Sequence, residues 1–211
     1  MKTVAVYCDF SELNEKITAD FEGWITPHIA EGEKPMKDES VFARVLLKYV
    51  LSEFFSVDNF TVALGKNGKP CLSDSKLHFN LSHCLNRVIC TVSEAPVGCD
   101  VQDIRPFNPR VVSRFYNTDE GMILSASNDK DEHFTKLWVL KESVLKHSGD
   151  GITGGLDYYS FPEYLTDDSF YAYGAYFKTL KKDGFIYGVC YETDAITVVE
   201  VALKDIIKKM M

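Results

Sequence analysis

Two long runs with apolar residues at helical spacing, each set among short alternating strands, constrain this chain more than any other feature. The first runs from about Asp38 to Phe55, with Val41, Phe42, Val45, Leu46, Tyr49 and Val50 along one stripe. The second runs from about Asp131 to Ser148, and Gly149 is well placed to stop it. Around them, Lys2 to Asp9 alternates apolar and polar, FTVAL and LHFNLS read as strands about a KNGKP turn, and RVICTVS and VGCDV follow, joined at Glu94-Ala95-Pro96. The pattern turns helical from Asn108. Beyond the second long helix come YAYGAYFKTL, FIYGVCYE and ITVVEV, then a short basic tail helix. No internal repeat or low-complexity linker interrupts the chain. The pattern predicts two packed α+β halves in one compact body, divided as residues 1–101 and 102–211.

Length and composition agree with this. A chain of 211 residues with 45% hydrophobic and 26% charged residues buries a sizeable core without staples. A net charge of −8 speaks against a general nucleic-acid or membrane-surface binder, which needs a basic face. An anionic ligand must therefore be met by a few local Lys, Arg and His side chains. No apolar run approaches the ~18 residues of a membrane span. The opening MKTVAVYCDFSELNEK turns polar too soon for a signal peptide. Six scattered cysteines (Cys8, Cys71, Cys84, Cys90, Cys99, Cys190) form no CxxC pair and suit neither a zinc site nor a disulfide framework. They read as free thiols in a reducing cytoplasm.

Two acidic positions stand out. Asp100 closes the apolar strand VGCDV, where a carboxylate is costly without a partner or a metal. Locally, a strand-end ion pair with Arg105 explains it at least as well. Glu142 lies mid-helix in KLWVLKESVLKHSG with Lys146 four residues on, hence on the same face. Taken alone that is an exposed pair worth about 0.3–0.5 kcal/mol. The apolar flanks Leu137, Trp138, Val144 and Leu145 argue for a cleft instead. The KNGKP turn offers Lys66 and Lys69 about Gly68, which lets backbone approach a phosphate, or is simply a solvated turn. Ser82 and His83 follow a strand; a histidine there donates to a phosphate or to a loop. There is no nucleophile elbow, P-loop or GxGxxG.

Individually weak, these signals occur in a telling order: GKP, FNLSH, PVGCDVQ, then WVLKESVLK and a glycine-containing turn. The set, from about Arg44 to Gly151, resembles the surfactin-synthetase-type 4′-phosphopantetheinyl transferases, whose pattern is GKP, FNxSHS, PxGxDxE and WxxKEAxxK followed by Gly. The resemblance implies two similar, pseudo-symmetric α+β subdomains, each a small mostly antiparallel sheet on a long helix, with coenzyme A in the cleft between them. It implies transfer of the 4′-phosphopantetheine arm to a serine of an apo acyl or peptidyl carrier protein, as by a holo-[acyl-carrier-protein] synthase. By motif, Arg44, Gly68, Lys69, Pro70, Asn80, Ser82 and His83 would bind the cofactor, His83 on a phosphate. Asp100 and Glu142 would ligate magnesium on the pyrophosphate, Glu142 would also act as base, and Lys146 would neutralise phosphate charge.

These residue types fit that chemistry in their own right. Magnesium takes hard oxygen ligands and keeps several waters, so two carboxylates and a pyrophosphate suffice. Fixed positive charge and in-line positioning carry most of phosphoryl transfer.

The chain departs from the pattern at Gln102, where the family has a second acid. Glutamine offers a neutral oxygen or leaves its place to water, which predicts weaker magnesium binding without loss of activity. Cys84 replaces the last serine of FNxSHS, and the family's basic cluster is poorly matched near Lys34 and Lys37, which carry no assigned role. Gln102 also sustains an alternative, a coenzyme A-binding regulatory protein of the same fold with weak or no turnover. Chain length resembles the monomeric branch of the superfamily, and a monomer is expected.

Overall fold

The computed structural model describes residues 1–13, 15–25, 38–73, 75–149, 151 and 155–210. Lys34 and Lys37 lie outside them, as does the side chain of Lys66. The elements are β1 (Thr3–Asp9), α1 (Glu15–Ile25), α2 (Asp38–Phe55), β2 (Val62–Leu64), β3 (Pro70–Leu72), β4 (His78–Cys84), β5 (Arg87–Ser93), β6 (Val97–Asp103), α3 (Pro109–Phe115), α4 (Thr118–Ala126), α5 (Lys130–Ser148), β7 (Ser169–Ala172), β8 (Ala175–Lys182), β9 (Phe185–Tyr191), β10 (Ile196–Glu200) and α6 (Leu203–Met210). The expected mixed α+β architecture is present, and no helix among the described residues is long and apolar enough to cross a membrane.

Two four-stranded sheets, ordered β10-β1-β5-β4 and β6-β9-β8-β7, lie face to face, and each carries a long helix on its outer face. Strand alternation sorts the side chains into three cores. Val4, Val6, Cys8, Val88, Cys90 and Val92 meet α2 through Val41, Phe42, Val45 and Leu46. Ala5, Tyr7 and Ile89 meet Val97, Cys99, Val101 and Tyr187 between the sheets. Phe177 and Cys190 meet Leu137, Leu140 and Val144 of α5. Strands such as β1 and β5 are thus buried on both faces, which accounts for their runs of apolar residues.

Three details differ from the sequence reading. The KNGKP turn does not lead into LHFNLS; it closes a small hairpin in which Val62 pairs with Leu72, with Asn67 and Gly68 both at positive φ. YAYGAYFKTL is two strands, because Tyr173 and Gly174 adopt φ of 52° and 78°, the left-handed pair that a tight hairpin turn requires. The division into 1–101 and 102–211 does not follow the sheets. All of β6 pairs with β9 in the second sheet, while β10 returns to pair in parallel with β1 and α6 packs on α2. That return covers an edge of β1 that would otherwise be open.

What positions the site is the seat of α5 on the second sheet. A Cβ on Gly98 would lie 2.1 Å from the Ser143 carbonyl oxygen and 2.3 Å from the His147 nitrogen; one on Gly188 would lie 2.5 Å from Val139 Cγ1. Side chains at these positions would push the helix off the sheet. Gly149, at φ 76°, then ends the helix in the left-handed conformation, as the sequence indicated. On its other flank Lys141, fully buried, forms a 2.8 Å ion pair with the equally buried Glu120. Glu120 also completes a capping box with Asn117 at the start of α4. The Lys141 ammonium further donates to the carbonyls of Leu156 (2.8 Å) and Tyr159. One lysine thereby ties α4 and the segment after α5 to the helix, with every polar partner satisfied.

Gly98→Ala is expected to prevent folding or lower the melting temperature steeply, because the obstructing atoms are backbone. Gly23→Ala, exposed in α1 with nothing within 4 Å of its would-be Cβ, should stabilise by about 0.5–1 kcal/mol. Glu120→Gln, which strands a buried ammonium, should cost about 3–5 kcal/mol. Urea denaturation followed by circular dichroism measures all three.

Candidate functional site

The alternation that sends Val97, Cys99 and Val101 between the sheets turns Asp100 and Gln102 toward α5. Asp100 is 1% exposed, yet its carboxylate is well satisfied. Its Oδ1 lies 2.6 Å from Lys146 Nζ and accepts a 2.7 Å bond from Ser82 Oγ; Lys146 also donates to Ser82 Oγ at 3.1 Å. Its Oδ2 accepts from Gln102 Nε2 at 3.1 Å. The local alternative, pairing with Arg105, is not what forms: Arg105 pairs with Asp103 at 2.9 Å.

Glu142 and Lys146 do share a face of α5, and that face looks into a cleft. Burial pushes the Glu142 carboxyl above its ordinary pKa; the Lys146 ammonium opposes this and the Asp100 charge adds to it. Burial by itself would lower the pKa of Lys146, but the charge and hydrogen bond of Asp100 outweigh it and hold the ammonium protonated.

Two adjoining cavities of about 360 and 580 Å³ open here, and Leu81, Glu142 and Lys146 line both. Gly68, Lys69, Pro70 and Asn80 line the first, while Ser82, His83, Asp100 and Gln102 line the second. Arg44, half-buried on α2, lines neither. Trp138, one turn before Glu142, walls the second cavity; its place four residues back on the same helix face was the signal for it.

Several motif side chains direct their polar ends at protein. Lys69 Nζ donates to the carbonyls of Val97 (3.2 Å) and His147 (3.1 Å), and Asn67 Nδ2 donates to that of Gly149 at 3.0 Å. The His147 and Gly149 carbonyls, at the end of α5, have no partner within the helix, and a cation there also meets the negative end of its dipole. Burial lowers the pKa of Lys69. Asn80 Oδ1 accepts from the backbone nitrogen of Cys99 at 2.9 Å, fastening β4 to β6. The amide of Asn80 and the ammonium of Lys69 therefore hold the two halves together; the resemblance had implied cofactor contacts. No local pattern could have revealed this, since the partners lie far along the chain. His83 is exposed and lines the second cavity.

Among the described residues, no group of three or more His, Cys, Asp or Glu could hold a metal ion. The acids at this site are two, Asp100 and Glu142, facing one cavity beside the Gln102 amide. A pair of hard carboxylates suits magnesium, which completes its shell with water and phosphate oxygens.

Comparison with known proteins points one way. The family model of the 4′-phosphopantetheinyl transferase superfamily matches residues 96–189. The chain is 31% identical over 171 residues to the 4′-phosphopantetheinyl transferase Sfp of Bacillus subtilis (strain 168), a match covering 76% of this chain and 75% of that protein. It is 33% identical over 134 residues to the transferase psf-1 of Bacillus pumilus, covering 61% of this chain and 57% of that one. It is 32% identical over 117 residues to the transferase gsp of Aneurinibacillus migulanus, covering 54% and 49%.

Because the folded pKa of Glu142 is raised, its ionisation costs no stability below the unfolded value of about 4.3, costs progressively more as the pH rises from there to the folded value, and costs a constant amount above it. In metal-free buffer Glu142→Gln should therefore melt above the parent at neutral pH. The difference should shrink to nothing as the pH falls through the carboxylate range, as thermal scans at several pH values would show.

Proposed function

Because this chain belongs to the 4′-phosphopantetheinyl transferase superfamily and is an enzyme of that kind, we propose that it moves the 4′-phosphopantetheine arm of coenzyme A onto a serine of an apo acyl or peptidyl carrier protein. The reaction would require magnesium and release adenosine 3′,5′-bisphosphate. The observation that carries this reading is the convergence of Asp100, Glu142 and Lys146 at a cleft beside α5, where Glu142 and Lys146 line both cavities and Asp100 the second. The two cavities share Leu81, Glu142 and Lys146 in their linings, an arrangement that suits an elongated cofactor.

Within that site Asp100 and Glu142 would hold the magnesium ion. When bound, magnesium neutralises charge on the pyrophosphate. Lys146, fixed by Asp100 and Ser82, presents a permanently charged ammonium to the phosphate that is attacked or leaves. Glu142, which lines both cavities, accepts the proton of the incoming serine hydroxyl. The hydroxyl then attacks the β-phosphorus and the bond to the adenosine bisphosphate breaks. His83, exposed at the second cavity, is the donor for a cofactor phosphate. The backbone at Gly68 and the ring of Pro70 line the first cavity, where the adenosine end would lie. Arg44 keeps its cofactor role by resemblance alone.

The Gln102 amide donates to Asp100 and brings no negative charge, which favours weaker metal binding and is the one observation on the side of a coenzyme A-binding regulator without turnover. The presence of all three reactive groups favours catalysis. Both walls of the cleft come from one chain, so a monomer suffices. All six cysteines are free, five of them buried, which fits a reducing cytoplasm.

Intact-mass analysis of an apo carrier protein incubated with this protein, coenzyme A and magnesium should show a gain of one phosphopantetheine arm, lost when the metal is chelated. No gain with several unrelated carriers, despite coenzyme A binding, would support the regulator. Glu142→Ala should fold and lose transfer by about two to four orders of magnitude. Lys146→Ala should lower kcat more than it weakens coenzyme A binding; the reverse would make Lys146 a binding residue only.

A further inference from the structure

Glu192 follows β9 in the chain, yet the turn that carries it is fastened to the first sheet. Its neighbour Thr193 is fully buried, and its hydroxyl lies 2.6 Å from that of Thr3 on β1, which lies 2.7 Å from that of Ser93 on β5. Thr193 Oγ1 donates to the Ala195 carbonyl at 2.9 Å. The protons therefore run one way, from Ser93 to Thr3 to Thr193 to that carbonyl, and every hydroxyl in the row is satisfied. From this anchored turn the Glu192 carboxylate meets the second half: Oε1 lies 3.0 Å from Nε2 of His147, in the last turn of α5. The approach is off the line of a ring N–H, and the buried Nε2 makes no hydrogen bond. The contact thus acts through charge. Besides Glu192, the charges that reach the ring are those of Lys69, just before β3, and His78, at the start of β4, both contributed by the first half. Cys190, near the same Glu192 and Lys69 charges, is held as a neutral thiol by burial.

We propose that this seam is an acid-sensitive latch: His147 stays neutral while the end of α5 is docked on the Glu192 turn, and takes its proton when the two part, so that acid favours the parted state. In the docked state a protonated His147 and His78 would join Lys69 as three cations about one carboxylate. Parted, each ring returns to water. Burial lowers the pKa of His147; Glu192 opposes this, and the Lys69 and His78 charges add to it. For His78, partial burial and the Lys69 charge act in the same direction against Glu192. A depressed folded value leaves the docked state its full stability above the unfolded value of about 6.5, and removes it progressively as the pH falls from there to the folded value. The same end of α5 borders the first cavity through Leu145 and Gly149, so the latch couples acidity to the freedom of that wall.

The proposal stands apart from the transferase reading, and its test contains no coenzyme A. Hydrogen-exchange mass spectrometry is run at about pH 7.5 and 5.5, either side of the ordinary histidine value, with rates corrected for the pH dependence of intrinsic exchange. In the parent, residues 145–149 and 192–196 should exchange at least about threefold faster at the lower pH, relative to the core strand β5. A His78→Gln, His147→Gln double variant, neutral at both pH values, should lose that difference. If the pair does not fold, His147→Gln alone should lose the larger part of it. Glu192→Gln removes the opposing charge and should enlarge the difference. A change that merely weakens the seam raises exchange at both pH values alike. An acid-induced gain that persists undiminished without the histidines would overturn the proposal. So would a gain spread evenly over β5, or a Glu192→Gln variant less sensitive to acid than the parent.

Discussion

Everything at this site depends on how closely α5 lies on the second sheet. At Gly98 the helix backbone, and at Gly188 the Val139 side chain, come within a distance of the strand that leaves no room for a Cβ. That approach puts Asp100, two residues beyond Gly98, directly beneath the last turns of α5. The carboxylate then reaches Lys146 and shares a cavity with Glu142. A helix seated one side-chain diameter farther out would take the Lys146 ammonium from Asp100 and leave its charge to the Ser82 hydroxyl and the Gln102 amide alone, a costly state for a buried carboxylate.

The same helix divides stability from chemistry between neighbours in the sequence. Successive helical residues point about 100° apart, so Lys141 and Glu142 serve different walls. Lys141 goes inward to Glu120 and the carbonyls after α5, a network with no exposure at all. Glu142 goes to the cleft, where its charge is disfavoured by burial and by Asp100. A satisfied buried pair on one side lets the other side of the helix carry an unfavourable carboxylate. A carboxylate whose ionisation is disfavoured in this way takes up a proton more readily.

The first half of the molecule acts chiefly as a brace. Lys69 and Asn67 occupy the carbonyls at the end of α5, Asn80 bonds to β6, and Ser82 reaches the charged pair. These contacts cross between segments far apart in the chain, so the cleft exists only when both halves are docked. The return of β10 to β1 and of α6 to α2 makes that docking hard to undo, since the C-terminal segment is built into the first sheet.

The sequence alone determined the two long helices, most strands, the glycine stop of α5 and the residue types, two acids and a lysine, that line the candidate cleft. Local periodicity and short motifs encode these, and they require no distant partner. It left Asp100 between an ion pair with Arg105 and a metal ion, because nothing local brings the Lys146 ammonium to that strand until the helix is placed. It also made Lys69 and Asn80 cofactor ligands, although their polar atoms go to backbone groups that no motif can reveal. The hairpin break at Tyr173 and Gly174 was written locally and overlooked; the return of β10 was not written locally at all. Residue types and spacing specify which groups can do the chemistry. Which of them face one another, and which hold the others in place, was decided by the packing of one helix on two glycines and by bonds that exist only in the assembled fold.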